Sequence, residues 1–175
     1  MLKSVIPEVY SLLPYGLLTS CEKHFGKSEC DCCGFDGNGS CIMLLPDEEE
    51  HIKKYPHLDI EKDRFGFFSG TTCRVKRDNL GFPCSFKPLD CRMYPFFPAD
   101  VSEIDSVYNV TILAGFPRCQ LESEPKENLK EHFDAVVKVA IYLYEHDLLN
   151  WMNKASKGFS PKSYCRKYIV TVDNS

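Results

Sequence analysis

The chain has 175 residues, 21 Lys and Arg against 25 Asp and Glu, a formal net charge of −4, 43% apolar residues and 13% aromatics. That length fits one soluble domain able to bury a core without covalent staples. No basic run offers the clustered positive face that phosphate neutralisation needs, and no apolar run approaches the ~20 residues that span a bilayer, so neither a nucleic acid nor a membrane is the expected partner.

Residues 1–20 open with one early Lys and several aliphatics, but Pro7, Glu8 and Pro14 interrupt the apolar stretch that a secretory signal requires, and no small-x-small site precedes Cys21. The expectation is a cytoplasmic protein with reduced thiols. Residues 3 to 19 read as a short helix or turn segment with Val5, Val9, Leu12 and Leu13 as core contacts. Cys21 to Cys41 is rich in Gly, Ser, Asp and Cys and lacks apolar periodicity, so it reads as a loop whose shape comes from something other than packing. Residues 46 to 55 read as a helix: carboxylates crowd the first turn, Lys53 and Lys54 the last, and Pro56 follows. Glu48, Glu49 and Glu50 could supply a metal or acid-base pair, but a carboxylate run that opens a helix reads first as a solvated face.

Short strands are predicted at Phe65 to Ser69, Thr72 to Lys76 and Phe82 to Phe86, and a stronger one at Val107 to Ala114, where β-branched residues dominate and Gly115 and Pro117 follow. From Glu124 onward Leu129, Phe133, Val136, Val137, Ala140, Ile141, Tyr144, Leu148 and Trp151 recur at spacings of three and four, the signature of one long amphipathic helix. The expected fold class is therefore α+β, a small single domain of short antiparallel strands, Cys-rich metal-organised loops and a long C-terminal helix. Its parts are an N-terminal segment (1–20), a cysteine-cluster region (21–120), a packing helix of the same domain (121–155) and a tail (156–175) loosely anchored by Tyr164, Tyr168 and Ile169.

The ten cysteines carry the functional signal. Eight lie between Cys30 and Cys119: Cys30, Cys32, Cys33, Cys41, Cys73, Cys84, Cys91 and Cys119, flanked by Cys21 and Cys165. Cys30 and Cys33 form a C-x-x-C pair, whose tight turn brings two thiolates to one tetrahedral ion. Cys73, Cys84 and Cys91 offer a second pair, at a separation too long for a simple zinc ribbon. His24, His51, His57, His132 and His146 are scattered and read as surface or packing residues. The expected donor set is all thiolate, which suits zinc in a closed shell or an iron-sulfur cluster, and spacing does not choose between them. With eight donors one site or two are possible.

Arg74, Arg92, Arg118 and Arg166 each adjoin a cysteine. A thiolate centre carrying roughly −2 would be offset by such guanidinium groups, so Arg74, Arg92 and Arg118 are candidate outer contacts of the cofactor, with chance placement as the competing account. Aromatics and prolines crowd Cys84 and Cys91, either as a dry surround for the metal or as ordinary core. No Ser-His-Asp set, phosphate loop or dinucleotide glycine pattern can be assembled. Asp36 to Ser40 imitates a calcium loop but lacks its Gly and its bidentate Glu, and reads as a plain turn.

The run Lys87-Pro88-Leu89-Asp90-Cys91-Arg92-Met93-Tyr94-Pro95-Phe96 resembles the signature of the YkgJ-type cysteine-cluster family, described as a zinc- or iron-chelating domain. That signature is similar to a CC pair, a helix, a Cys, then C-x6-C-R-x-[YF]-P-F. Cys32-Cys33, the 47 to 55 helix, Cys73, Cys84 and Cys91 to Phe96 take those places in order. The resemblance spans roughly residues 21 to 119. The family's C-x2-C-x2-CC opening is reduced here to Cys30 before Cys32-Cys33, so Cys41 or Cys119 is the substitute ligand, and Lys87-Pro88 stands for the usual Arg-Pro. The resemblance implies metal binding; some relatives look like iron-sulfur enzymes that modify protein side chains, but no residue here matches a catalytic motif of theirs. The alternative from another class is a secreted, disulfide-rich interaction domain, favoured by the even cysteine count.

Overall fold

The computed structural model describes residues 4–13, 42–55, 58–64, 66, 68–73, 88–115, 126–158 and 165–174. Among them the chain is α+β, with two three-stranded antiparallel sheets and helices packed against the second. In order, the elements are α1 (Ile6–Leu12), β1 (Ile42–Met43), α2 (Glu48–Ile52), β2 (Leu58–Glu61), β3 (Gly70–Cys73), α3 (Leu89–Met93), β4 (Phe96–Ile104), β5 (Val107–Gly115), α4 (Lys126–Glu145), α5 (Leu149–Gly158) and β6 (Cys165–Asp173).

The larger sheet, ordered β4-β5-β6, is the frame. β4 and β5 are joined by Asp105 and Ser106, both at positive φ (50° and 62°), the left-handed pair that a two-residue hairpin demands so that its twist matches the strands. Pro98 sits within β4, tolerated because β4 is an edge strand, and a bulge follows it where the register shifts between Pro98 and Asp100. Along β5 the residues Tyr108, Val110, Ile112 and Ala114 alternate inward and are buried, as period two requires. Helices α4 and α5 cover that face. Val136, Val139, Ala140 and Leu143 of α4, Trp151 and Met152 of α5, and Phe96, Phe97 and Val101 of β4 make the core, joined by Ile6 and Val9 of α1 and by Leu89 and Met93 of α3.

The long C-terminal helix is present as α4, but the single helix read through Trp151 is two. Asp147 takes a left-handed φ of 59°, its N–H bonds Tyr144 O at 3.1 Å, and Leu148 N–H reaches back to Leu143 O at 2.8 Å. These two bonds are the Schellman motif, which ends a helix by satisfying its last carbonyls. The apolar spacing survives the break because α5 resumes on the same core. The residues read as a tail also differ: 165–173 form β6, paired with β5 from Val107↔Asp173 to Gly115↔Cys165. Tyr168, Val170 and Val172 alternate with Lys167, Ile169 and Thr171 on this edge strand.

The smaller sheet, ordered β1-β3-β2, pairs Ile42 with Thr71 and Leu58 with Cys73. It packs a second, smaller apolar cluster of Leu44, Ile52 and Leu58. Trp151 Nε1 donates to Leu44 O at 2.8 Å, fastening the two sheets' helical and extended parts together. Of the expected strand Thr72 to Lys76, Thr72 and Cys73 belong to β3, which begins at Gly70, and 74–76 lie outside the described residues; of Phe65 to Ser69 the described residues 66, 68 and 69 are not in a strand, and Phe82 to Phe86 lies outside the described residues.

Candidate functional site: a buried knot beside Cys91

Three short elements meet at one polar cluster. The α2 helix starts after Pro46 and Asp47, whose left-handed φ of 67° turns the chain so that the first helical residue, Glu48, points inward. Glu48 is 0% exposed. The reading of Glu48, Glu49 and Glu50 as one solvated face is thus corrected at its first member, because the turn rather than the helix dipole sets that side chain's direction. Glu50, by contrast, is exposed and pairs with Lys53 on the surface.

A buried carboxylate needs donors in proportion to its lone pairs. Glu48 Oε2 accepts the Leu45 N–H at 2.8 Å, and Oε1 accepts both the Leu89 N–H at 2.7 Å and the hydroxyl of Tyr10 from α1. The Arg92 guanidinium, only 7% exposed, lies 3.9 Å over the Tyr10 ring and donates through Nη1 to Leu13 O at 3.2 Å. The aromatic face and the carbonyl both favour the cation in this dry setting. Burial pushes the Glu48 carboxyl above its ordinary range, although Tyr10, the two N–H groups and Arg92 pull the other way. Burial, then the neighbouring Glu48 charge, raises the Tyr10 phenol.

Asp90, one residue before Cys91, is the third ionisable member. One carboxylate oxygen accepts the Met43 N–H, while Oδ1 is buried with no hydrogen-bond partner. Its pKa is pushed up to about 7, first by burial and then by the charge of Glu48. Below the knot His132 of α4, itself buried, holds the exit of α3: its Nε2 lies 3.1 Å from both Met93 O and Tyr94 O, so that nitrogen carries the proton. The Tyr94-Pro95 peptide is cis and leads directly into β4.

The knot's partners share one property of position. Leu13 is the last described residue before 14–41, and Met43 and Leu45 stand just after that segment; Leu89 follows directly on 74–87 and Pro88. Arg92, Asp90 and Glu48 therefore fasten both flanks of 14–41 and the far flank of 74–87 to one point. Those two segments contain Cys21, Cys30, Cys32, Cys33, Cys41 and Cys84. Cys73, the near flank of the second segment, ends β3, two residues beyond Thr71, whose partner is Ile42. Strand spacing and rise put its Cα about 8 Å from that of Ile42. Cys91 sits half-buried in α3, which packs on β1.

Of the expected ligands, Cys91 is placed beside the knot, whereas the backbone of Cys73 pairs with Leu58 at the end of β3 away from Gly70, the partner of Met43. Cys30, Cys32, Cys33, Cys41, Cys84 and Cys119 lie outside the described residues, as do Cys21, Arg74 and Arg118. Cys165 opens β6 opposite Gly115, and Arg166 is exposed on that strand. Sequence reasoning missed Tyr10 and Asp90, and weighed Glu48 as a metal or acid-base residue only to prefer a solvated face. The only trace of the buried Glu48 is a carboxylate placed directly after the apolar run Cys41 to Leu45 and Pro46-Asp47. Among the described residues no group of three or more His, Cys, Asp or Glu side chains is arranged to hold a metal ion, and no helix is long and apolar enough to cross a membrane. The chain matches no known family model, no curated protein and no solved structure.

Proposed function

We propose that this chain is a metal-binding protein that holds zinc or iron, the latter alone or as an iron-sulfur cluster, through clustered cysteine thiolates. The observation that carries the reading is the convergence of the flanks. Residues 14–41 and 74–87 hold six of the ten cysteines, and a buried network of Glu48, Asp90 and Arg92 ties the ends of these segments together beside Cys91. Closing segments of 28 and 14 residues costs about 3 and 2 kcal/mol of chain entropy, and burying three ionisable side chains adds to that cost. Such an arrangement is favoured where the closed segments are themselves cross-linked, and cysteines on one ion do that.

Cys91 is the described donor suited to a soft divalent ion; Cys30, Cys32, Cys33, Cys41, Cys73, Cys84 and Cys119 complete the set we assign. The resemblance of Cys91 to Phe96 to the YkgJ-type signature supports the same chemistry and adds no catalytic residue. Reduced thiolates fit a cytoplasmic protein.

Anaerobic purification without chelator, followed by iron, zinc and sulfide analysis with a visible spectrum, tests the reading. Stoichiometric iron with labile sulfide identifies a cluster; stoichiometric zinc in a colourless protein that unfolds on chelation identifies a structural site. In either case Cys91→Ser lowers the metal content. A metal-free chain whose thiols become titratable only after reduction would overturn the proposal in favour of disulfides.

A further inference from the structure

Among the described residues the two edges of the larger sheet, β4 and β6, are finished differently. β4 carries Pro98 and a register shift between Pro98 and Asp100, two devices that spoil an edge for further pairing. β6 has neither: its nine residues hold no proline and pair with β5 in unbroken register from Val107↔Asp173 to Gly115↔Cys165. From this edge we infer that β6 is the interface of a homodimer, in which a second copy of the chain lays its own β6 antiparallel alongside, Val170 facing Val170, and the two sheets become one of six strands.

Which backbone groups the edge offers follows from one hydrogen bond. The Asn174 N–H donates to Ser106 O at 2.9 Å, one step beyond the register pair Val107↔Asp173. Opposite residues of an antiparallel ladder exchange hydrogen bonds in alternate pairs. The even-numbered residues of β6 therefore bond to β5, and Lys167, Ile169, Thr171 and Asp173 turn their N–H and C=O groups outward. Such a row is a template for another strand. It is open to solvent: residues 166–169, 171 and 173 are exposed, Ile169 by 66%.

The side chains choose the occupant and its register. Lys167 stands near the start of β6 and Asp173 at its end, so an antiparallel copy centred on Val170 sets each Lys167 opposite the partner's Asp173. On the same face Ile169 meets the partner's Thr171. On the face shared with Val110 and Ile112, Tyr168 meets the partner's Val172, an aromatic against a β-branched side chain. All the outward residues then hydrogen-bond in directly opposite pairs, Lys167 with Asp173 and Ile169 with Thr171, each twice by symmetry. Centring on Ile169 instead would set Lys167 against Thr171 and Arg166 against Val172, and would lose both opposite-charge pairs.

The test is sedimentation equilibrium of the full chain, purified anaerobically with its thiols reduced, from about 1 to about 200 µM. The expected mass rises from 20.1 kDa toward twice that value. Ile169→Pro removes an outward N–H and leaves the bonds to β5 in place, so it is expected to stay monomeric throughout with wild-type Trp151 emission and urea midpoint. Lys167→Asp and Asp173→Lys each turn two opposite-charge pairs into like-charge pairs and weaken dimerisation at least tenfold, roughly. An equimolar mixture of these two variants sets Asp against Lys again and recovers the wild-type dimer; the charge variants decide the matter if Ile169→Pro does not fold. A wild type that stays monomeric at the highest concentration leaves this edge to solvent or to a strand of another protein, and overturns the proposal. A dimer that folded Ile169→Pro or the single charge variants leave intact overturns it too, as does a mixture that does not recover.

Discussion

Replacing Glu48 with Ala exposes how the knot is held. The substitution removes the acceptor of the Leu45 and Leu89 N–H groups and of the Tyr10 hydroxyl in a place that water does not reach. Each stranded donor costs about 1–3 kcal/mol, and partial hydration of the vacated volume puts the three together at the low end, about 3–5 kcal/mol. That is a large share of the roughly 5–15 kcal/mol by which a domain is stable. Glu48→Gln keeps one carbonyl but sets an amide N–H₂ against one of the donors, for about 2 kcal/mol, and Tyr10→Phe removes a single donor, for about 1 kcal/mol. Urea unfolding followed by emission of the single tryptophan, Trp151, reads all three, since it is buried and bonded to Leu44 O next to the knot. The expected order of loss is Ala, then Gln, then Phe. An Ala variant within about 1 kcal/mol of wild type would refute the reasoning, since three stranded donors cannot be that cheap.

Because burial raises the Glu48 carboxyl, the folded chain keeps this proton at a pH where the unfolded chain has released it. Its contribution is complete below the ordinary Glu range and falls as pH rises toward the raised folded value, by at most about 1.4 kcal/mol per pH unit; Glu48→Gln flattens that slope, and parallel midpoint-against-pH curves for the two proteins would contradict it. Asp147→Gly is expected to raise the unfolding free energy by up to about 1 kcal/mol, read as a higher urea midpoint, because glycine takes the left-handed conformation of the Schellman cap without steric cost. His132→Phe keeps the ring against Phe96, whose centroid is 5.8 Å away, but withdraws the proton shared by Met93 O and Tyr94 O, with an expected loss of about 1–2 kcal/mol in the same titration.

What the sequence discloses depends on whether the signal is periodic or made by tertiary contact. β5 and α4 are legible because their apolar residues repeat at two and at three or four, and the α+β class follows from them. β6 carried a readable alternation in Tyr168, Val170 and Val172, obscured by the charged Arg166, Lys167 and Asp173 that an edge strand tolerates. β4 was hidden by Pro98 and by a hairpin turn, Asp105-Ser106, that lacks the usual glycine. The helix break at Asp147 leaves no trace in periodicity, since both helices face one core.

The knot is the least legible part, and for a definite reason. Glu48 in the first turn of a helix satisfies the dipole whether it points to water or inward, so the helix rule is silent about its burial. Its direction is decided by the left-handed Asp47, and its donors come from positions 10, 45 and 89, which nothing local connects. Arg92, read as a counter-charge to thiolate, turns out to touch Tyr10 and the carbonyl of Leu13. That contact gives the C-R-x-Y-P-F run a mechanical sense. Its Cys is half-buried at the edge, its Arg holds the entrance to the first cysteine-bearing segment, and Tyr94-Pro95 carries the chain from α3, under the clamp of His132, into the frame of the larger sheet. The residue that faces the proposed metal and the residue that anchors its surround are adjacent because successive positions of a short helix point different ways, which lets one turn serve both.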